Sequence, residues 1–97
     1  MIKMFMSRLK KEEYLETTKN DYIEDMWRKR YMGKPIYFEY AVQGLLLVLK
    51  NIETKNNEND KERIKYINDI ENKLFNYGEI YFSDIAYGLV LIMKNQE

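Results

Sequence analysis

The chain repeats itself. Tyr22–Asn51 lies over Tyr66–Asn95 at a constant offset of 44 without a gap, with 12 identities in 30 positions. The matches include Tyr22 with Tyr66, Asp25 with Asp69, Lys29 with Lys73, Ile36-Tyr37-Phe38 with Ile80-Tyr81-Phe82, and Gly44-Leu45 with Gly88-Leu89. Conservative pairs such as Tyr31 with Phe75 and Leu49 with Met93 extend the likeness. A repeat of this length is one supersecondary unit used twice, because each unit alone leaves an apolar face uncovered. We read units at about residues 12–51 and 56–95 within one domain, joined by a polar linker at about 52–60 with Asn56-Asn57 at its centre.

Each unit has the same plan. A charged amphipathic segment comes first, then a connector carrying Ile-Tyr-Phe, then an apolar segment ending in Lys-Asn. In the second unit Ile64, Ile67, Ile70, Leu74 and Tyr77 recur at spacings of three and four, the period of one helix face. In the first unit Leu15, Tyr22, Ile23, Met26 and Trp27 form a broader stripe on what reads as one helix, acidic at Lys11-Glu12-Glu13 and basic at Arg28-Lys29-Arg30. The apolar segment from Tyr40 to Asn51 is long for a strand and reads as a helix. Ser83-Asp84 offers its counterpart an N-cap, and Gly33 and Gly78 look like C-cap glycines. Residues Met1 to Lys11 add a fifth short element. The expected fold is all-α: a duplicated helical hairpin forming a four-helix bundle with pseudo-two-fold symmetry. The alternative is a small α+β domain whose two short strands carry Ile-Tyr-Phe. Gly44 and Gly88 fall mid-helix, where glycine costs about 1 kcal/mol relative to alanine; two equivalent glycines imply a close approach, with the apolar helices crossing near the axis.

Composition removes most catalytic chemistry. The chain has 97 residues and neither cysteine nor histidine. Disulfides, thiol nucleophiles, His-based triads and Cys/His metal sites are therefore excluded. Neighbouring carboxylates such as Glu12-Glu13 and Glu24-Asp25 point to different sides of a helix. Asp25 and Asp69 read as surface partners of Lys29 and Lys73 four residues on. Ser83 is occupied as a cap, and no glycine-rich phosphate loop occurs. The expectation is a non-enzyme with no cofactor and no metal.

Binding is the remaining class. Formal charge is balanced, at 16 basic and 16 acidic residues, which argues against a nucleic-acid packager or an acidic DNA mimic. One cluster stands out: Trp27, Arg28, Lys29, Arg30 and Tyr31, extended by Lys34. The second unit has Glu71, Asn72, Lys73 and Leu74 at the first four positions. The basic, Trp-bearing patch is thus private to the first unit, and divergence from a shared scaffold is where function is sought. Trp, Tyr and Arg anchor protein interfaces, and nine tyrosines exceed what a core this size can bury. The expected role is that of a regulator, inhibitor or immunity-type factor binding another protein; a homodimer fits the surplus of aromatic surface. The alternative is a nucleic-acid-binding regulator using the patch at 28–34. Asn, Ile, Lys and Tyr make up 40 of the 97 residues; their AT-rich codons suggest a low-GC bacterium or its phage or mobile element. The N-terminus reads as no signal peptide and no apolar run reaches spanning length, so no membrane partner is expected and the chain is placed in the cytoplasm.

Overall fold

A computed structural model describes the backbone of Ile2 and Lys3 and residues 9–76 and 78–96. It is mostly helical. The order is β1 (Ile2–Lys3), α1 (Lys11–Glu16), α2 (Lys19–Tyr31), α3 (Phe38–Lys50), α4 (Glu58–Phe75), β2 (Glu79–Ile80) and α5 (Phe82–Lys94). Tyr77, expected on the apolar face of the second unit, lies outside the described residues, as does most of the N-terminal extension.

The first charged segment is two helices, not one. The break falls at Thr17-Thr18. The Thr18 hydroxyl accepts from the Asp21 amide at 3.1 Å while the Asp21 carboxylate accepts from the Thr18 amide at 3.2 Å. This capping box starts α2 afresh, and the Thr17 hydroxyl bonds back to the Glu13 carbonyl. Asn57 and Asp60 form the same device at the start of α4. Ser83 caps nothing. The helix begins at Phe82, and the Asp84 carboxylate takes the Tyr81 amide at 2.8 Å. Gly33 ends α2 with φ +69°, and the Lys34 amide returns to the Lys29 carbonyl at 2.8 Å, so the left-handed turn uses glycine for its missing Cβ. Gly78 plays a different part: its own amide closes the turn onto the Lys73 carbonyl.

The mostly helical chain is compatible with the all-α expectation, and its one short strand pair is not the pair the alternative foresaw. Ile80 faces Ile2 and Glu79 faces Lys3 in an antiparallel pair. Ile36-Tyr37-Phe38 forms no strand; Tyr37 is the N-cap of α3.

The core gathers Leu9, Tyr14, Val42, Leu45, Leu46, Leu49, Tyr66, Ile67, Ile70, Leu74, Ile80 and Leu91. The most extensive helix contact is between α3 and α5, and α4 packs on both. The Phe38 and Phe82 rings, 44 residues apart, meet edge to face at 6.2 Å. The Tyr22 hydroxyl donates to the Tyr40 carbonyl and the Tyr66 hydroxyl to the Asp84 carbonyl, each at 2.6 Å. Each of these tyrosines lies against the glycine of the following helix. A Cβ on Gly44 would overlap the Tyr22 ring, and one on Gly88 would sit 2.5 Å from the Tyr66 hydroxyl and 2.7 Å from Leu45. The close approach at the glycines is therefore a tyrosine ring seated in each gap, with Leu45 of α3 among the nearest neighbours at Gly88. At the far end Arg63, buried, bonds Asp60 at 2.7 Å, Asn95 at 3.1 Å and Thr54 at 3.2 Å, fastening the linker to α4 and to the end of α5. The Asn57 amide, reinforced by Arg63 and the Lys55 amide, holds the Asp60 carboxyl below its usual range against the opposing effect of burial.

Candidate functional site

The patch singled out in sequence lies on α2, the least buried of the long helices. None of its residues is fully buried, and it packs mainly on α3. Its inner side is held by the half-buried Tyr22, whose phenol is pushed up by burial. Lys29 holds the same side. Its ammonium lies 4.2 Å over the Tyr40 ring and 3.2 Å from Asp25. Lys29 therefore belongs to the packed side and not to the exposed patch with which it was grouped.

Trp27 and Tyr31 do come together. Their rings stack at 5.5 Å with planes 7° apart. Trp27 is 68 % exposed and Tyr31 79 %, and Ile23, one turn earlier, is 52 % exposed, whereas its repeat counterpart Ile67 is 7 % exposed. Ile23, Trp27 and Tyr31 recur at i, i+4 and i+8, so they form one face along the outer side of α2. Sequence reasoning placed Ile23 in a core stripe and missed its membership of this face. The match to Ile67 was the misleading signal.

The charges around the face divide into two groups. Arg28 reaches Glu24 at 3.3 Å and Asp25 at 3.9 Å. Arg30 and Lys34 are exposed and make no ion pair among the described residues. The cluster presents an aromatic pair flanked by one neutralised and two free cations, so it is less basic than its sequence suggests.

The corresponding positions on α4 explain why the α2 face is open. Glu71 and Phe75 stand where Trp27 and Tyr31 stand, and both are covered by α1. The Tyr14 ring meets Phe75 at 5.1 Å, and its hydroxyl donates to Glu71 at 2.5 Å. Lys50 pairs with the same Glu71 carboxylate and lies 4.5 Å over the Tyr14 ring. Burial, with Glu71 adding to it, pushes the Tyr14 phenol far up. Among the described residues no helix does the same for α2.

Elsewhere the carboxylates are used internally. Asp69 faces Lys73 at 3.5 Å, Lys73 lies 3.8 Å from Asp84, and Glu62 takes Lys94 at 3.3 Å and the Tyr87 hydroxyl at 3.2 Å. Among the described residues no three acidic side chains gather as a metal ion requires, and no helix is long and apolar enough to cross a membrane. No protein-family model, no curated protein and no solved structure matches the chain.

Proposed function

We propose that the chain is a small non-enzymatic, cytoplasmic interaction module, a regulator, inhibitor or immunity-type factor, that binds another protein through the outer face of α2. The observation carrying this reading is the Trp27–Tyr31 stack, two large rings left in water on a helix that buries nothing completely. Exposed Trp and Tyr are the side chains that dominate protein-binding energetics when a partner desolvates them. We take the scaffold beneath it as a duplicated hairpin in a four-helix bundle with a pseudo-two-fold relation. The paired Tyr-to-carbonyl bonds, the tyrosines seated on Gly44 and Gly88, and the Phe38–Phe82 contact, all related by 44 positions, support that arrangement.

The nucleic-acid alternative draws on Arg30 and Lys34 alone, because Arg28 and Lys29 already face carboxylates. Two free cations give little of the phosphate neutralisation such binding needs.

Affinity capture with the tagged chain from a low-GC bacterial lysate, with and without nuclease, tests the reading. A protein retained after nuclease and lost with Trp27→Ala is the expected result. Partners that vanish with nuclease, alongside recovered nucleic acid and dependence on Arg30 and Lys34, would overturn it. Trp27→Ala leaves folding intact because the ring is exposed, so loss of capture reports on contact.

A further inference from the structure

We infer that α5 carries a second interface, distinct from the α2 face, through which two copies of this chain pair. Phe82, Ala86, Leu89 and Met93 fall at i, i+4, i+7 and i+11, the spacing of a coiled-coil seam, with Val90 beside them. Their repeat counterparts on α3 are Phe38, Val42, Leu45 and Leu49, with Leu46 beside them. On α3 this row is core: Val42, Leu45, Leu46 and Leu49 are all buried and Phe38 is packed against them. On α5 the same row is bare, with Phe82 63 %, Leu89 47 %, Val90 45 % and Met93 66 % exposed and Ala86 exposed among them. The row that is packed on α3 has no covering helix on α5 among the described residues.

Three observations select a second copy as the occupant. The first is charge. Asp84 is the one ionisable carboxylate or ammonium between Phe82 and Met93, and it is turned away, taken by the Tyr81 amide and facing Lys73. Lys94 at the end is held by Glu62. The row therefore offers nothing to a charged ligand and lacks the free basic flank of a membrane-surface helix.

The second is shape. In an antiparallel pair centred between positions 86 and 89, each Leu89 faces the small Ala86 of the other copy and each Phe82 faces Met93. Large against small is what interdigitated helices need, and a two-fold contact requires only this one patch.

The third is area. Taking roughly 200 Å² as the full surface of a large apolar side chain, the bare fractions give about 450 Å² per copy and about 900 Å² for the pair, below the roughly 1,200 Å² of stable specific interfaces and in the range of weak, transient ones. The pairing is accordingly weak and reversible.

Sedimentation equilibrium of the whole chain from about 1 to about 500 µM tests this. The expected result is a concentration-dependent dimer. Leu89→Glu is expected to weaken it more than about tenfold, with an unchanged circular dichroism spectrum because the residue is half exposed. Trp27→Ala is expected to leave it intact. Because the chain has no native cysteine, orientation is read directly: Phe82→Cys and Met93→Cys chains cross-link readily when mixed and poorly when alone. A monomer throughout the range overturns the proposal. So does a dimer that ignores Leu89→Glu, and so does one lost with Trp27→Ala. The lysate capture above is unaffected by any of these outcomes, so the two readings fail separately.

Discussion

The two halves of this chain use the same positions for opposite ends. In the second half α4 packs on both α3 and α5 and also receives α1, so Ile67, Ile70 and Leu74 are core and Phe75 is covered. In the first half α2 has Met26 and Arg30 where α4 has Ile70 and Leu74, and it rests mainly on α3. With a thioether and an exposed guanidinium where α4 has two buried aliphatic side chains, α2 has less apolar surface with which to cover a neighbour. Its outer row is correspondingly richer, with Trp27 in place of Glu71. Matched positions therefore divide in both directions: α4 is covered where α2 is open, and α3 is covered where α5 is open.

The sharpest test of that contrast is truncation at matched positions. Leu49→Ala removes a fully buried side chain from the α3 row and is expected to cost about 3 kcal/mol or more. Met93→Ala, 44 positions on and mostly in water, is expected to cost less than about 0.5 kcal/mol at concentrations where the chain is monomeric. Urea unfolding of both variants measures the difference. Equal costs would mean that α5 is covered as α3 is, and the contrast would fall.

The glycines give the next largest effect. Gly88→Leu drives a side chain into Tyr66 and Leu45, both core residues, and is expected to cost about 3 kcal/mol by overpacking. Gly44→Leu meets Tyr22 first, a half-buried ring on the less buried helix α2. About 1–2 kcal/mol is expected there. Thermal unfolding by circular dichroism ranks the two, and the reverse order would contradict the looser seating of α2.

Much of this architecture is legible in the residues. The helical period of the second unit and the Leu-rich run of the first place α3, α4 and α5 to within a few residues, because length and spacing are local properties. The glycine and tyrosine matches at an offset of 44 point to shared positions. What is illegible is set by small competing local terms or by distant contacts. The break between α1 and α2 turns on one hydroxyl at Thr18 reaching one amide. The β1–β2 pair joins residues nearly 80 positions apart. The exposure of Ile23 is hidden for a third reason: its identity with Ile67 is real, but burial depends on which neighbour arrives. The candidate patch is legible as a departure from the repeat. The removal of Lys29 from it by Asp25 and the Tyr40 ring is a tertiary fact.

The smallest contrast concerns the two tyrosine hydrogen bonds. Tyr66→Phe removes the donor to the Asp84 carbonyl at a buried site, and about 1 kcal/mol is expected. Tyr22→Phe, on the half-buried α2 side, is expected to cost less. The same pair should be visible in alkaline titration. Burial, with Asp84 and then Asp69 adding to it, pushes the Tyr66 phenol up to about 12. In the unfolded chain that phenol ionises near its ordinary value of 10.0. The folded state thus holds a proton that the unfolded state releases, so the contribution is fully present below pH 10 and is lost as pH rises through about 12. Tyr14, raised by burial and Glu71, acts in the same direction. Stability measured by urea midpoint is therefore expected to be flat on approach to pH 10 and to fall above it. Tyr66→Phe makes that fall shallower and leaves the part due to Tyr14 and Tyr22, both also raised by burial. A fall of unchanged steepness in Tyr66→Phe would show that the phenol is no more shielded than an exposed one, and that Gly88 does not seat it.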